Sequence, residues 1–213
     1  MKKRIREAMK FDCLLIGVGG EGVLTSQVIL ARAANFEGYF VRGVQLHGLA
    51  QRGGSIPTMV RFGSREEISS PSIMQANADL VLAFEPLEAV RATYFSRGEK
   101  TVFVINARPY IPVYSYLLDI PYPKMEEIKK RIKPFAKKIY IFDATSKSLK
   151  KFRDPIFGNT ILLGAVAGLG ILPLKKKTLM KAIEITAPRE LEKNLQAFKA
   201  GLELQFAQTK SMS

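Results

Sequence analysis

A glycine-rich segment, Gly17-Val18-Gly19-Gly20-Glu21-Gly22, separates an apolar run from the start of a helical pattern. The apolar run, residues 11–16, is short and almost wholly apolar, as is typical of a strand buried on both faces. After the glycines, apolar residues recur at helical spacing over residues 23–36. Strand, glycine turn and helix in this order are typical of nucleotide-binding folds, in which backbone N–H groups can approach a phosphate at a helix N-terminus.

Strands and helices alternate along the rest of the chain. The patterns predict strands over residues 39–44, 79–84, 101–105 and 138–142, and helices over residues 86–95, 160–169, 175–185 and 191–206, with a further helix starting at Met125. Residues 56–62 also read as a strand, and Pro57 favours a place at the edge of the sheet. The alternation predicts an α/β, Rossmann-like three-layer domain with a largely parallel sheet and a long C-terminal helix.

The length of 213 residues fits one domain, and we expect it to span residues 1–213 with flexible ends at 1–10 and 208–213. Cys13 is the only cysteine, so neither a disulfide nor a Cys-ligated cluster can be built from this chain alone. Residues 1–10 are charged, and the apolar run after them is too short for a signal sequence or a membrane span. We therefore expect a cytoplasmic protein without a membrane partner.

The chain is strongly basic, with 33 Lys and Arg against 19 Asp and Glu and a formal charge of +14. Such an excess raises the possibility of an anionic partner, nucleic acid first. The basic residues, however, fall in separate groups that are typical of solvated helix faces, and no nucleic-acid-binding motif accompanies them. We expect no nucleic-acid partner, and a basic binding protein without catalysis remains an alternative.

The glycine turn has the G-x-G-x-x-G spacing of dinucleotide sites, formed by Gly17, Gly19 and Gly22. An NAD site also needs an acidic residue at the end of the second strand, where this chain has Arg42. Arg42 could instead meet the 2′-phosphate of NADP, but the Glu21 carboxylate would repel a pyrophosphate unless it points away. An NADP-binding reductase therefore stays an alternative, beside a turn that binds no ligand.

A second glycine-containing block, Gln45-Leu46-His47-Gly48-Leu49-Ala50-Gln51-Arg52-Gly53-Gly54, follows the second predicted strand. His47 is the only histidine, so no catalytic set can be assembled around a histidine pair. Gln51 and Arg52 offer polar donors, while Gly53 and Gly54 allow close backbone approach by another chain or a ligand. Because such loops on rigid scaffolds often carry function, we predict a binding or interface role.

Two later segments carry further predictions. Asn159 is placed to cap the helix over residues 160–169, in which Gly164 and Gly168 lie on one side and permit close helix packing. Residues 107–124 hold four prolines and four tyrosines, which favours an irregular excursion. That excursion is either a partner-contacting arm or a plain surface connection.

Several segments, taken in order, carry a resemblance to a known family. They are the glycine turn, the His47–Gly54 loop continuing into Ser55 and Val60-Arg61-Phe62-Gly63, residues 159–164, and Asn194-Leu195-Gln196-Ala197-Phe198 with Gly201. The chain resembles the small subunits of indolepyruvate:ferredoxin oxidoreductases, within the gamma-subunit family of 2-oxoacid:ferredoxin oxidoreductases. The resemblance implies oxidative decarboxylation of an arylpyruvate with coenzyme A, giving an aryl-acetyl-CoA, carbon dioxide and two electrons for ferredoxin.

The resemblance also implies that the chemistry needs a partner. In that family a large subunit holds thiamine diphosphate, Mg and the [4Fe-4S] clusters, so we expect no cofactor on this chain and no activity from it alone. Pyruvate, 2-oxoglutarate and branched-chain oxoacids are the alternative substrates. No catalytic residue or metal ligand is assigned. The candidates for ligand or partner binding, which we expect to face the large subunit, are Gly17, Gly19, Gly20, Gly22, His47, Gln51, Arg52, Gly53, Gly54 and Asn159.

Overall fold

A computed structural model describes residues 10–46, 53–111, 115, 117–187 and 189–204. Within these residues the chain forms six strands and seven α-helices. The strands are β1 (Phe11–Val18), β2 (Phe40–Gln45), β3 (Ser55–Gly63), β4 (Leu80–Ala83), β5 (Val102–Asn106) and β6 (Lys138–Phe142). The helices are α1 (Val23–Phe36), α2 (Pro86–Arg91), α3 (Met125–Ile132), α4 (Ala144–Phe152), α5 (Gly158–Gly168), α6 (Lys176–Thr186) and α7 (Leu191–Leu202).

The strands form one sheet in the order β2-β3-β1-β4-β5-β6. β1, β4, β5 and β6 pair in parallel, whereas β3 is antiparallel to both β1 and β2. Only β3 runs against the other described strands, so the prediction of a largely parallel sheet is confirmed. After β1 the chain forms β2 and β3 on one side of β1, and it then crosses to form β4 on the other side. In open sheets, ligands bind at the carboxyl ends of the strands beside such a reversal.

The predicted edge position of the strand that contains Pro57 is wrong, because β3 lies between β2 and β1. The Pro57 carbonyl accepts a hydrogen bond from the Leu46 backbone N–H at 3.0 Å. In an antiparallel ladder the N–H and C=O of one residue point to the same neighbour, so the missing N–H of Pro57 faces β2. The last β2 residue paired with β3 is Gln45, opposite Thr58. Proline is tolerated here because the ladder to β2 ends beside it.

Helices cover both faces of the sheet, which confirms the three-layer architecture. On one face, α1, α5, α6 and α7 bury apolar side chains such as Leu30, Ile161 and Phe198 against β1, β3 and β4. On the other face, α2 and α3 pack on β1, β4 and β5, with Ile128 and Ile132 in the core. Both faces are therefore apolar, which is why most of these strands read as continuous apolar runs.

Glycines allow α5 and α7 to cross at close range. A β-carbon added to Gly164 would stand 3.0 Å from the Gly201 Cα and would overlap the Phe198 carbonyl oxygen. One added to Gly201 would stand 2.8 Å from the Gly164 Cα, and one added to Gly168 would be 2.8 Å from the Leu202 carbonyl oxygen. The predicted packing role of Gly164 and Gly168 is confirmed.

A buried ion pair fastens the start of β1 to β3. Arg61 Nε lies 2.8 Å from Asp12 Oδ1, and both side chains are buried. Arg61 Nη1 also donates to the carbonyl oxygens of Ser70 and Ser72, at 2.8 and 2.9 Å. The Lys10 ammonium is 3.2 Å from the other oxygen of Asp12. Arg61 therefore holds the segment after β3 against the sheet, at the end of β1 that is far from the glycine turn.

The helices differ from the predictions in three places. α5 begins at Gly158 with Phe157 at its N-cap, so the prediction that Asn159 caps this helix is wrong. The helix predicted over residues 86–95 is α-helical only to Arg91 and ends in a 3₁₀ turn. α4 was not predicted at all. The final helix is described to Leu202, so its predicted end at residue 206 lies outside the described residues. No helix in the described part of the chain is long and apolar enough to span a membrane.

Candidate functional site

The glycine turn lies at the carboxyl end of β1, where the order of the sheet reverses. Gly20 and Gly22 adopt φ angles of +109° and +78°, in the left-handed region that favours glycine. Gly22 is also the N-cap of α1 and makes no side-chain cap. A β-carbon on Gly17 would stand 2.8 Å from Phe84 Cβ and 2.9 Å from Val23 Cγ2. The glycines therefore serve both backbone conformation and close packing of α1 on the sheet.

Glu21 folds back onto its own turn. Its Oε2 accepts a hydrogen bond from the Val18 backbone N–H at 2.7 Å. Burial, followed by the nearby charges of Glu85 and Glu88, raises the pKa of Glu21 to about 7. A carboxyl group of this chain thus occupies one N–H of the turn and stands where an incoming phosphate would meet it, which argues against a dinucleotide at this turn.

Two glutamates of α2 reach the same region. Glu88 Oε2 accepts a hydrogen bond from the Ser55 hydroxyl, and Glu88 Oε1 pairs with Arg91. Burial raises the pKa of Glu88. Glu85, which is buried, caps α2 by accepting a hydrogen bond from the Glu88 backbone N–H at 2.9 Å. Glu88 therefore ties the start of β3, directly after Gly53 and Gly54, to the helix that follows β4.

Glu85 also holds the segment after β5. Its Oε1 accepts hydrogen bonds from the Tyr110 backbone N–H, at 3.2 Å, and from the Tyr122 hydroxyl. The same hydroxyl accepts a hydrogen bond from the Leu87 backbone N–H at 3.1 Å. Burial and the Glu85 carboxylate raise the pKa of Tyr122 well above its ordinary value. The phenol therefore stays protonated at neutral pH and remains a donor to Glu85.

The loop that follows β2 is fastened at both ends. The Gly54 carbonyl oxygen accepts a hydrogen bond from the Gly19 backbone N–H at 3.0 Å, which joins this loop to the glycine turn. At its start, Gln45 Nε2 donates to Gln27 Oε1 of α1 at 2.7 Å. Gln27 Nε2 in turn donates to the carbonyl oxygens of Val44 and Met59. His47, Gln51 and Arg52 lie outside the described residues.

A cleft of about 920 Å³ opens between the turn and the starts of α5 and α7. Gly20, Gly22 and Asn159 line it, so three of the predicted site residues come together there. The polar side chains of Asp154, Arg189, Glu190, Lys193 and Asn194 also line it. Gln45 lines it as well, so the set of two cations, two carboxylates and three amides can bind a polar ligand or a partner's polar side chains.

Asn159 joins this cleft by packing rather than by capping. Its Nδ2 fills the space beside Gly22, and its Oδ1 accepts a hydrogen bond from the Thr160 backbone N–H at 2.6 Å. The Thr160 hydroxyl then bonds to Asn194 Oδ1 of α7 at 3.0 Å. One chain of contacts therefore connects the turn with α5 and α7.

A second crevice of about 400 Å³ lies on the other side of the turn. Gly19, Gly20 and Asn159 line it together with Arg108 and Tyr110. Gly53 stands close by, since a β-carbon on it would be 3.8 Å from the Tyr110 hydroxyl oxygen. Every predicted site residue that the structure describes is therefore within this one region of the fold.

Arg42, the candidate for NADP binding, is engaged elsewhere. Its Nε donates to the Ile68 carbonyl oxygen at 3.1 Å, and its guanidinium lies over the Phe40 ring, 5.3 Å from the centroid. It lines neither of the two cavities at the turn. Among the described residues, no group of three His, Cys, Asp or Glu side chains could hold a metal ion.

The sequence patterns did not single out Glu85, Glu88 or Tyr122. One signal could have found the first of them, because Glu85-Pro86 directly follows a buried apolar run. A polar residue at the carboxyl end of a parallel strand lies at the edge where ligands are expected. Tyr122 gives no such signal, since it depends on a contact across 37 residues.

Comparison with known proteins gives a match over most of the chain. The family described as pyruvate ferredoxin/flavodoxin oxidoreductase matches residues 12–204. Indolepyruvate oxidoreductase subunit IorB of Thermococcus kodakarensis is 33% identical over 196 residues, covering 91% of this chain and 95% of the relative. The pyruvate/ketoisovalerate oxidoreductases common subunit gamma of Pyrococcus furiosus is 31% identical over 188 residues, covering 88% and 92%.

A solved structure has a similar fold. It is 2-oxoglutarate:ferredoxin oxidoreductase from Magnetococcus marinus with 2-oxoglutarate, coenzyme A and succinyl-CoA bound. The TM-score is 0.67 at 19% sequence identity, and the match covers 94% of this chain and 32% of that chain. The same fold therefore forms about a third of a longer oxidoreductase polypeptide.

Proposed function

This chain belongs to the pyruvate ferredoxin/flavodoxin oxidoreductase family, and from that premise we propose that it is the small subunit of an indolepyruvate:ferredoxin oxidoreductase. The observation that carries the proposal is the end-to-end similarity to subunit IorB, 33% identity over 91% of this chain and 95% of the relative. The relatives are subunits of oxidoreductases that act on 2-oxoacids. Their similarity supports a place for this chain as a subunit of such an oxidoreductase.

The proposed reaction balances with ferredoxin as the oxidant. An arylpyruvate and coenzyme A give an aryl-acetyl-CoA, carbon dioxide and a proton, while two oxidised ferredoxins each take one electron. Thiamine diphosphate with Mg and the [4Fe-4S] clusters of the large subunit would supply the decarboxylation and the electron transfer. The C–C bond to the carboxylate breaks and the new bond joins the acyl carbon to the sulfur of coenzyme A.

The role of this chain is to complete the active enzyme together with the large subunit. The turn from Gly17 to Gly22 and the loop from Gln45 to Gly54 would face that subunit near its active site. The Gly19–Gly54 hydrogen bond supports this proposal, because it joins the end of the loop to the turn at the carboxyl end of β1.

Another 2-oxoacid is the second candidate for the substrate. The similarity to the common gamma subunit of pyruvate and ketoisovalerate oxidoreductases reaches 31% identity, only slightly less than that to IorB. Substrate choice in such a complex would depend largely on the large subunit. The identity of the substrate must therefore be tested on the assembled enzyme.

The test is co-expression with the large indolepyruvate oxidoreductase subunit of the same organism, followed by purification of the complex. The values of kcat/KM are then compared for indolepyruvate, pyruvate, 2-oxoglutarate and a branched-chain oxoacid, with coenzyme A and a ferredoxin. We expect indolepyruvate to be preferred by at least about tenfold. A preference for pyruvate or a branched-chain oxoacid would assign the chain to the second candidate. Failure of the two chains to associate would contradict the proposed function.

A further inference from the structure

An exposed apolar surface stands beside the site, on the segment between β5 and α3. Leu117, Leu118 and Ile120 are 71%, 63% and 57% exposed. Tyr110 and Ile111, at the start of the same segment, are also exposed. Single exposed apolar residues are common, but several within eleven positions of one segment are typical of an interaction surface.

Both ends of this segment are fixed to one oxygen atom. The Tyr110 backbone N–H and the Tyr122 hydroxyl both donate to Glu85 Oε1. Tyr110 and Tyr122 are therefore held close together, and surface segments whose ends lie close together are frequently functional. A buried carboxylate that holds both ends gives the exposed side chains a defined position at a low cost in entropy on binding.

The charge of the segment indicates what kind of partner it fits. Its only charged residues are Arg108, Asp119 and Lys124, whereas the whole chain carries a formal charge of +14. A nearly neutral apolar surface does not suit a polyanion. Two copies of a chain with a charge of +14 repel each other, so a second copy is also a poor occupant. A different protein with an apolar face suits it best.

The apolar segment continues the surface already assigned to the partner. Tyr110 lines the crevice formed with Gly19 and Gly20. Its hydroxyl oxygen is the nearest atom to a β-carbon placed on Gly53, at 3.8 Å. The glycine turn, the end of the loop after β2 and Tyr110, at the start of the apolar segment, therefore lie together.

We propose that Tyr110, Ile111, Leu117, Leu118 and Ile120 are the docking surface for the large oxidoreductase subunit, and that Glu85 is the positioning residue that holds this surface in place. The inference rests on the proposed function, because it takes its partner from there. It goes further by naming the surface through which the two subunits associate.

The first test measures the affinity of the full chain for the large subunit of the same organism, by calorimetry or biolayer interferometry. The double variant Leu117→Ser/Leu118→Ser should bind at least about tenfold more weakly, since it removes two apolar side chains that leave water on binding. Met74→Ser is the matched control, because Met74 is 72% exposed and lies outside this surface. The control should bind as tightly as the wild type. The thermal unfolding midpoints of the control and of the double variant should be similar.

The second test separates positioning from stability. Tyr122→Phe removes one of the two bonds to Glu85, and we expect faster cleavage by chymotrypsin after Leu117 or Leu118 together with weaker binding, at a temperature where the variant is fully folded. Tyr94→Phe, at an exposed tyrosine, is the control. Glu85→Gln keeps an oxygen acceptor and should bind more tightly than Glu85→Ala.

The outcomes distinguish the two proposals. If the wild type binds the large subunit and the leucine variant binds equally well, the docking surface is wrong while the proposed function stands. If the leucine variant instead loses association between copies of this chain, the occupant is a second copy and the proposal is also wrong. If the wild type does not bind the large subunit at all, the proposed function fails, and the docking proposal fails with it.

Discussion

The side-chain amide of Asn159 occupies the space that a β-carbon on residue 22 would need. A β-carbon on Gly22 would stand 2.9 Å from Asn159 Cγ and closer still to its Nδ2. This contact brings the N-terminus of α1 against the start of α5, across 137 positions of the sequence. Glycine is therefore required at residue 22 for two reasons: the φ angle is +78°, and the Asn159 side chain leaves no room for a β-carbon.

Replacing Gly22 by alanine should destabilise the protein by about 2 to 4 kcal/mol. The left-handed backbone accounts for about 1 to 2 kcal/mol, and the overlap with Asn159 adds a packing cost of similar size. Gly20→Ala is the matched control, because its φ is +109° but no atom lies within 4 Å of the added carbon. Urea unfolding measures both free energies.

The packing part of that cost can be isolated. Adding Asn159→Ala to Gly22→Ala should recover stability relative to the Gly22→Ala single variant, because the overlapping amide is removed. If Asn159→Ala recovers no stability in the Gly22→Ala background, the contact with Asn159 does not constrain residue 22.

The crossing of α5 and α7 should be equally intolerant of added volume. Gly164→Ala and Gly201→Ala each force a methyl group into backbone atoms of the opposite helix, and we expect losses of at least about 2 kcal/mol. Gly158→Ala is the control, because the nearest atom to its added carbon is the Thr145 Cα at 3.3 Å. Thermal unfolding that shows equal midpoints for all three variants would rule out the close crossing.

Stability should depend on pH through Glu21. Its pKa is raised from 4.5 to about 7 in the fold, so the folded state binds a proton that the unfolded state has already released. The free energy of unfolding therefore falls as pH rises from roughly 4.5 through about 7. Relative to wild type, Glu21→Gln should gain up to about 3 kcal/mol at pH 8 and little at pH 4.

Denaturant unfolding of both proteins over that range of pH measures the effect. Glu66→Gln, at an exposed glutamate, controls for the loss of one carboxylate. A difference between wild type and Glu21→Gln that stays constant from pH 4 to pH 8 would be incompatible with a buried, neutral Glu21 at low pH.

The buried pair of Asp12 and Arg61 should be costly to break from one side. Arg61→Ala leaves the Asp12 carboxylate buried beside β3, and we expect a loss of about 3 to 5 kcal/mol. Lys129→Ala breaks the exposed pair with Glu126, which we expect to cost less than about 1 kcal/mol. Similar free energies of unfolding for the two variants would mean that the Arg61 pair is not as enclosed as its contacts indicate.

The general architecture could be predicted because its signals are local. The apolar run before Gly17 and the helical spacing after Gly22 each specify one element, and alternation of such elements implies a largely parallel sheet. The helix packing of Gly164 and Gly168 could also be predicted, since residues four apart lie on one side of a helix. These features need no knowledge of which elements become neighbours.

The rest depends on contacts between distant segments. Pro57 indicated an edge strand. The missing N–H of Pro57 is tolerated inside the sheet because the pairing of β2 with β3 ends at Gln45, opposite the neighbouring Thr58. Asn159 has the chemistry of a cap, yet α5 begins two residues earlier than predicted, and the Asn159 amide packs on Gly22 instead. The anchoring role of Glu85 follows from where Tyr110 and Tyr122 meet it, which no local pattern gives.

Reduction of ferredoxin by indolepyruvate and coenzyme A tests the central claim most directly, when it is measured with this chain alone, with the large subunit alone, and with the two combined. We predict that only the combined subunits sustain turnover, with neither chain alone exceeding a few per cent of the combined rate. Turnover by the large subunit alone at the rate of the mixture, or by this chain alone, would contradict the account.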